Sequence, residues 1–152
     1  MFKQIYLKEI VIVFFSLVFF SNTFAEDIFL SLKKNKVNVR YGPSFESPVK
    51  YVYRKINLPI KQIDKKENWR RVIDLKNNGG WIHSSQLKNL NSIIPITDLI
   101  LFAGPSIFSK PLAQIKKGRV LILRVCVDGW CKIESGTFLG WVQTDNIWGL
   151  IN

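Results

Sequence analysis

The side chains able to do covalent or acid–base chemistry are few and poorly placed for it. The single histidine is His83, and the two cysteines, Cys126 and Cys131, follow it by 43 and 48 positions. A Cys or Ser nucleophile needs a base held against it by a third group, and a metal site needs three or more ligands at short spacing. No carboxylate pair is flanked by residues that would hold it in a cleft. We therefore expect no enzyme, no metal and no cofactor. What remains is recognition chemistry. Trp69-Arg70-Arg71 sets an indole beside two guanidinium groups, with Lys50 further back along the chain. On a strand, Arg71 shares a face with Trp69, while Arg70 and Val72 point the other way, Val72 toward a core. A cation beside an exposed indole offers an apolar shelf and a charge together. The candidate ligand-binding residues are Tyr41, Trp69, Arg71, His83 and Trp130. Trp69 and Trp130 follow polar turns and keep one face exposed in this reading. Tyr41 lies partly exposed beside Trp69, Trp81 and Trp141 are buried, and Trp148 seals a contact between domains.

The elements that must position these residues come as a tandem repeat. Tyr41-Gly42-Pro43-Ser44 returns as Ala103-Gly104-Pro105-Ser106, the lone Trp69 as Trp130, and Gly80-Trp81 as Gly140-Trp141. The offsets fall from 62 (Gly42 to Gly104) through 61 (Trp69 to Trp130) to 60 (Trp81 to Trp141), as expected where loops lose single residues and strands do not. Within the first copy, Phe29 to Leu32, Val37 to Tyr41, Val49 to Arg54, Leu58 to Ile63, Trp69 to Leu75 and Trp81 to His83 read as strands. Lys76 to Gly80 forms a turn rich in Asn and Gly. The second copy repeats this with Leu99 to Ala103, Leu112 to Ile115, Arg119 to Val125, Trp130 to Glu134 and Leu139 to Val142. Five or six short strands per repeat predict an all-β fold of two tandem small domains, over residues 28–90 and 93–152, each a strongly bent β-barrel or sandwich. Val127-Asp128-Gly129-Trp130 places a two-residue Asp-Gly turn between strands, which sets Cys126 opposite Cys131 and predicts a disulfide across the hairpin.

Charge is distributed unequally. The 152 residues carry a formal +11. From Ile28 to Asn91 there are 14 Lys and Arg against 4 Asp and Glu, and from Ser92 to Asn152 only 6 against 4. A one-sided basic surface attracts polyanions; the alternative is a solvated face in a chain generally rich in lysine. At the N-terminus, Lys3 and Lys8 precede an apolar run from Ile10 to Phe20, and Ser21 to Ala25 follows with small residues at Thr23 and Ala25. This pattern predicts a secretory signal peptide over residues 1–25, cleaved after Ala25. The run is short against the roughly 20 residues a membrane span requires, so no span is expected after cleavage. The mature protein is then periplasmic or secreted, where nucleic acid is no partner and acidic envelope polymers or proteins are.

Asn38-Val39-Arg40-Tyr41-Gly42-Pro43-Ser44, Asn68-Trp69-Arg70-Arg71-Val72 and Gly80-Trp81-Ile82-His83-Ser84-Ser85-Gln86-Leu87 resemble the motifs of the bacterial SH3-like domain family, and the second half resembles them more loosely. The likeness is to exported proteins made of two such domains that close on a Trp-Gly pair, here Trp148-Gly149. It implies an SH3-like barrel per domain and a role as a binding or targeting module beside cell-wall hydrolases or envelope proteins. Their catalytic Cys and His lie in a separate domain that has no counterpart here. By similarity, Trp69 and Trp130 hold the position of the groove Trp of eukaryotic SH3 domains. His83 and Gln86, and Gln143 and Asn146, stand where Pro and Tyr complete that groove. Such a site is poor for polyproline and suits an acidic peptide or polymer of the cell wall, peptidoglycan included. The alternative implied by the same resemblance is a protein-interaction or accessory subunit that regulates an envelope enzyme.

Overall fold

The computed structural model describes residues 27–150; the leader expected over residues 1–25 lies outside them. The first sheet contains β1 (Ile28–Leu32), β2 (Val37–Arg40), β3 (Val49–Tyr53), β4 (Pro59–Lys66), β5 (Trp69–Ile73), β6 (Gly79–His83) and β7 (Leu87–Asn89). The second contains β8 (Ser92–Pro95), β9 (Leu99–Phe102), β10 (Pro111–Ile115), β11 (Leu121–Val127), β12 (Trp130–Ser135), β13 (Phe138–Gln143) and β14 (Ile147–Trp148). Their orders are β3-β2-β6-β5-β4-β1-β7 and β10-β9-β13-β12-β11-β8-β14. Each strand thus has its counterpart seven strands later in the same place, and the repeat in sequence is a repeat in topology. The fold is all-β, two tandem barrel-like units of seven strands. The sequence predicts five or six, because β7, β8 and β14 are two to four residues long and are defined by what they pair with rather than by alternation.

Alternation builds each core. Val37 and Val39 on β2, Ile60 on β4, Val72 on β5 and Ile82 on β6 point inward with Leu32 and Leu87, and all but Leu87 are fully buried. Leu101, Ile115, Leu121, Cys131, Ile133 and Val142 repeat the pattern with Ile93. The Gly-Trp pairs are explained by close backbone approach. A Cβ on Gly80 would stand 2.7 Å from the Arg40 carbonyl oxygen, and one on Gly140 would stand 2.6 Å from that of Phe102. Only glycine lets β2 and β9 cross there. Bulges fall at equivalent places as well: Lys50 on β3 and Leu112 on β10, Ile63 on β4 and Arg124 on β11.

The two units meet through β1, β8 and β14. Ser31 and Ser92, both fully buried, lie 3.0 Å apart. Ser92 donates to the Asn57 carbonyl, so the proton between the two hydroxyls comes from Ser31, which accepts in turn from the Asn91 amide at 3.1 Å. Trp148 donates its indole N–H to the Pro59 carbonyl at 3.0 Å and sits edge-to-face on Phe29, ring centroids 5.0 Å apart. It joins the domains as its position at the end of the second repeat predicts.

Candidate binding groove

The predicted disulfide is present. Asp128 (φ 47°) and Gly129 (φ 76°) make the two-residue turn, Val127 pairs with Trp130, and Cys126 bonds Cys131 across a Cα separation of 4.1 Å. Both φ values are positive, as a type I′ turn requires.

The five candidate ligand-binding residues separate into three places. Trp69 and His83 form one cluster with Phe45. The Phe45 ring is 5.0 Å from that of Trp69 and 5.2 Å from that of His83, and Trp69 and His83 are themselves 5.2 Å apart. Phe45 reaches them because the loop after the Gly-Pro-Ser turn is clamped: the Arg40 guanidinium donates to the carbonyls of Phe45 (3.0 Å) and Ser47 (2.7 Å), and the Ser47 amide donates to Ser44 Oγ. Trp69 is therefore only 7% exposed, which corrects the expectation of an open indole face. His83 is occupied structurally. Its Nδ1 caps the short 3-10 turn Ser84–Gln86 by accepting from the Ser85 amide, with Ser85 Oγ at 2.8 Å. Trp130 lies in the other domain, half-buried, with the Phe102 ring edge-on to it at a centroid separation of 5.6 Å.

Tyr41 and Arg71 come together elsewhere, on the outer face of the first sheet. There they line a groove of about 520 Å³ with Arg40, Lys50, Ile73 and Trp81. Trp81 pairs directly across from Arg71 and is half-buried. Trp141 is likewise half-buried against Lys132. This corrects the expectation of two buried indoles. Ile82 and Val142 take the inward positions, and alternation turns the preceding Trp outward. Tyr41 is 66% exposed, but it stands by Lys50, whose Nζ lies 5.7 Å from its ring centroid, and Phe45 takes the place beside Trp69. Lys50 also donates to the Gly79 carbonyl at 3.0 Å. Trp81 is a site residue that spacing alone did not single out, and Lys50, noted in the sequence as a nearby cation, takes a defined place in the groove. The outward register of Trp81 was recoverable from the apolar Ile82 beside it, whereas the bulge that turns Lys50 inward over the groove was not. Among the described residues no group of three or more His, Cys, Asp or Glu could hold a metal ion, and no helix is long and apolar enough to cross a membrane.

The sequence model of the bacterial SH3 domain matches residues 33–89 and again 97–149, each match falling on one of the two sheets. The chain belongs to the bacterial SH3 domain family. Domains of the bacterial SH3 type are characteristically binding modules. No curated protein matches the chain. Two solved structures from Trichomonas vaginalis are similar to it, NlpC2 and NlpC1, each at 13% identity and a TM-score of 0.38, with 83% and 84% of this chain covered. The chain spans about half of those two proteins, 49% and 47%.

Proposed function

We propose that this protein is an exported, non-catalytic binding module of the bacterial cell envelope, and that its first domain holds acidic peptides or polymers of the cell wall. The observation that carries this is the groove itself: Tyr41, Lys50, Arg71 and Trp81 gather aromatic surface and positive charge on the half of the chain that holds 14 of the basic residues. Family membership supports a binding role. The apolar leader and the disulfide support export, since disulfides persist outside the reducing cytoplasm.

The test uses the whole mature chain, because the domains share buried contacts. Sedimentation with purified cell-wall sacculi is compared with capture of solubilised envelope proteins. The expected result is co-sedimentation with sacculi at low salt that is largely lost at about 0.5 M salt, where charges are screened within a few ångströms. Arg71→Glu weakens it several-fold, and Lys132→Glu, the matching change in the second domain, leaves it nearly intact. Binding indifferent to salt or to Arg71, or capture of proteins alone, would favour the accessory-subunit reading.

A further inference from the structure

We infer that the groove is built for one chain end and not for a length of polymer: a peptide C-terminus whose α-carboxylate lies on Arg71 and whose apolar last side chain lies on Trp81. This rests on the groove being the ligand site proposed above, and specifies what enters it.

The cations of the groove are unequal. The Arg40 guanidinium commits its Nη1 to the carbonyls of Phe45 and Ser47. Lys50 is committed in part, to the Gly79 carbonyl and the face of Tyr41. Arg71 is exposed, and among the described residues it makes no side-chain hydrogen bond or ion pair. Asp64 lies opposite it on β4, but one of its carboxylate oxygens, Oδ1, accepts from the Lys65 amide at 2.7 Å. One free guanidinium fork matches one carboxylate, bidentately. A polyanion would need a row of such groups along a track.

Shape agrees. The groove's 520 Å³ falls among sites for small ligands, roughly 300–1,000 Å³. The Lys50 bond to Gly79 ties β3 to the start of β6, and both residues line the groove. Ile63, Ile73 and Trp81 supply its apolar lining. Since Arg71 and Trp81 are direct cross-strand partners, their Cβ atoms are about 5 Å apart. A terminal residue carries its carboxylate and its side chain on the same Cα, which suits a cationic and an apolar site at that spacing. An internal Asp or Glu would instead lay polar backbone on the indole.

The second domain is an internal control. It keeps Lys132 and Trp141 at the same register but has Ala103, Leu112, Glu134 and Leu139 where the first has Tyr41, Lys50, Ile73 and Gly79. Its Glu134 is paired with Arg124. The fold therefore does not require the groove's side chains.

Nitrogen-labelled whole chain is titrated with acetyl-Ala-Ala-Leu as the free acid, with its C-terminal amide, and with polyglutamate, following the Trp81 indole and Arg71 side-chain resonances. The free acid is expected to shift both saturably, and the amide to need at least about tenfold more peptide. Arg71→Gln abolishes the difference between acid and amide, and Lys132→Gln preserves it. Equal effects of acid and amide overturn the inference, as do stronger shifts by polyglutamate with a steep salt dependence. If the peptides are indifferent while sacculus binding still needs Arg71, the chain-end inference falls and the proposed function stands. If the free acid binds at Arg71 while sacculi do not bind, the reverse holds.

Discussion

Trp69 begins a strand on the outer face of a sheet, where an indole would ordinarily stay half in water, yet Phe45 and His83 cover it. Trp69→Ala removes a buried ring and should cost about 3 kcal/mol, a large part of the stability of so small a domain. A urea melt checks this, and a loss of binding by that variant would report unfolding. Arg71 is the exposed neighbour whose substitution probes binding alone. Tyr53 makes a different residue-scale prediction. Burial chiefly raises its pKa, and the adjoining Tyr51 hydroxyl and the Asp74 carboxylate, which accepts from Tyr53 at 3.1 Å, raise it further. The unfolded chain releases this proton near pH 10 while the folded chain keeps it. Its contribution is thus fully present below about pH 10, and stability falls as pH rises above that. Urea midpoints taken from neutral to strongly alkaline pH should show a decline that is shallower in Tyr53→Phe. Phenolate absorbance should show Tyr53 ionising only as the protein unfolds.

At the scale of the element, the hairpin of β11 and β12 is held three ways. It has its turn, its disulfide and the Thr144 amide and hydroxyl, which donate to the Gly129 carbonyl at 3.0 and 3.1 Å. Because the disulfide closes so short a loop, reducing it should cost less than the roughly 3 kcal/mol expected for a 15-residue loop. The two cysteines are not equivalent, since Cys131 belongs to the second core and Cys126 is exposed. Cys131→Ser buries a hydroxyl and should melt earlier than Cys126→Ser, by about 1 kcal/mol of stability. Equal melting of the two would mean that the core does not register the change. The hairpin was legible because an Asp-Gly turn fixes register by chemistry confined to four residues. Strands β7, β8 and β14 were not, since strands this short carry no period.

At the scale of the whole molecule, the junction makes two small cores interdependent. Gly149 sits at φ 105°, a conformation that L side chains rarely adopt, and a Cβ there would stand 3.1 Å from the Ser92 carbonyl oxygen, so a larger residue would strain the segment after Trp148. Calorimetry of the intact chain should show one cooperative transition. Trp148→Ala, which removes the Phe29 contact and the bond to Pro59, should split it into two. A single transition in that variant would place the coupling in the Ser31–Ser92 and Asn57 contacts alone.

The sequence by itself determined the duplication, the all-β class, the core faces and the disulfide, because turn residues and period-two alternation act over a few neighbouring positions. It also named Arg71 and Tyr41 as candidates. Which side chains stand together was decided only by the tertiary structure. Phe45 covers Trp69 because Arg40 clamps a loop onto a neighbouring strand, Trp81 faces Arg71 because β5 and β6 pair in one register, and Lys50 reaches Gly79 from 29 residues away. Contacts of this kind depend on strand pairing and loop closure between distant segments, and no local pattern of residues encodes them.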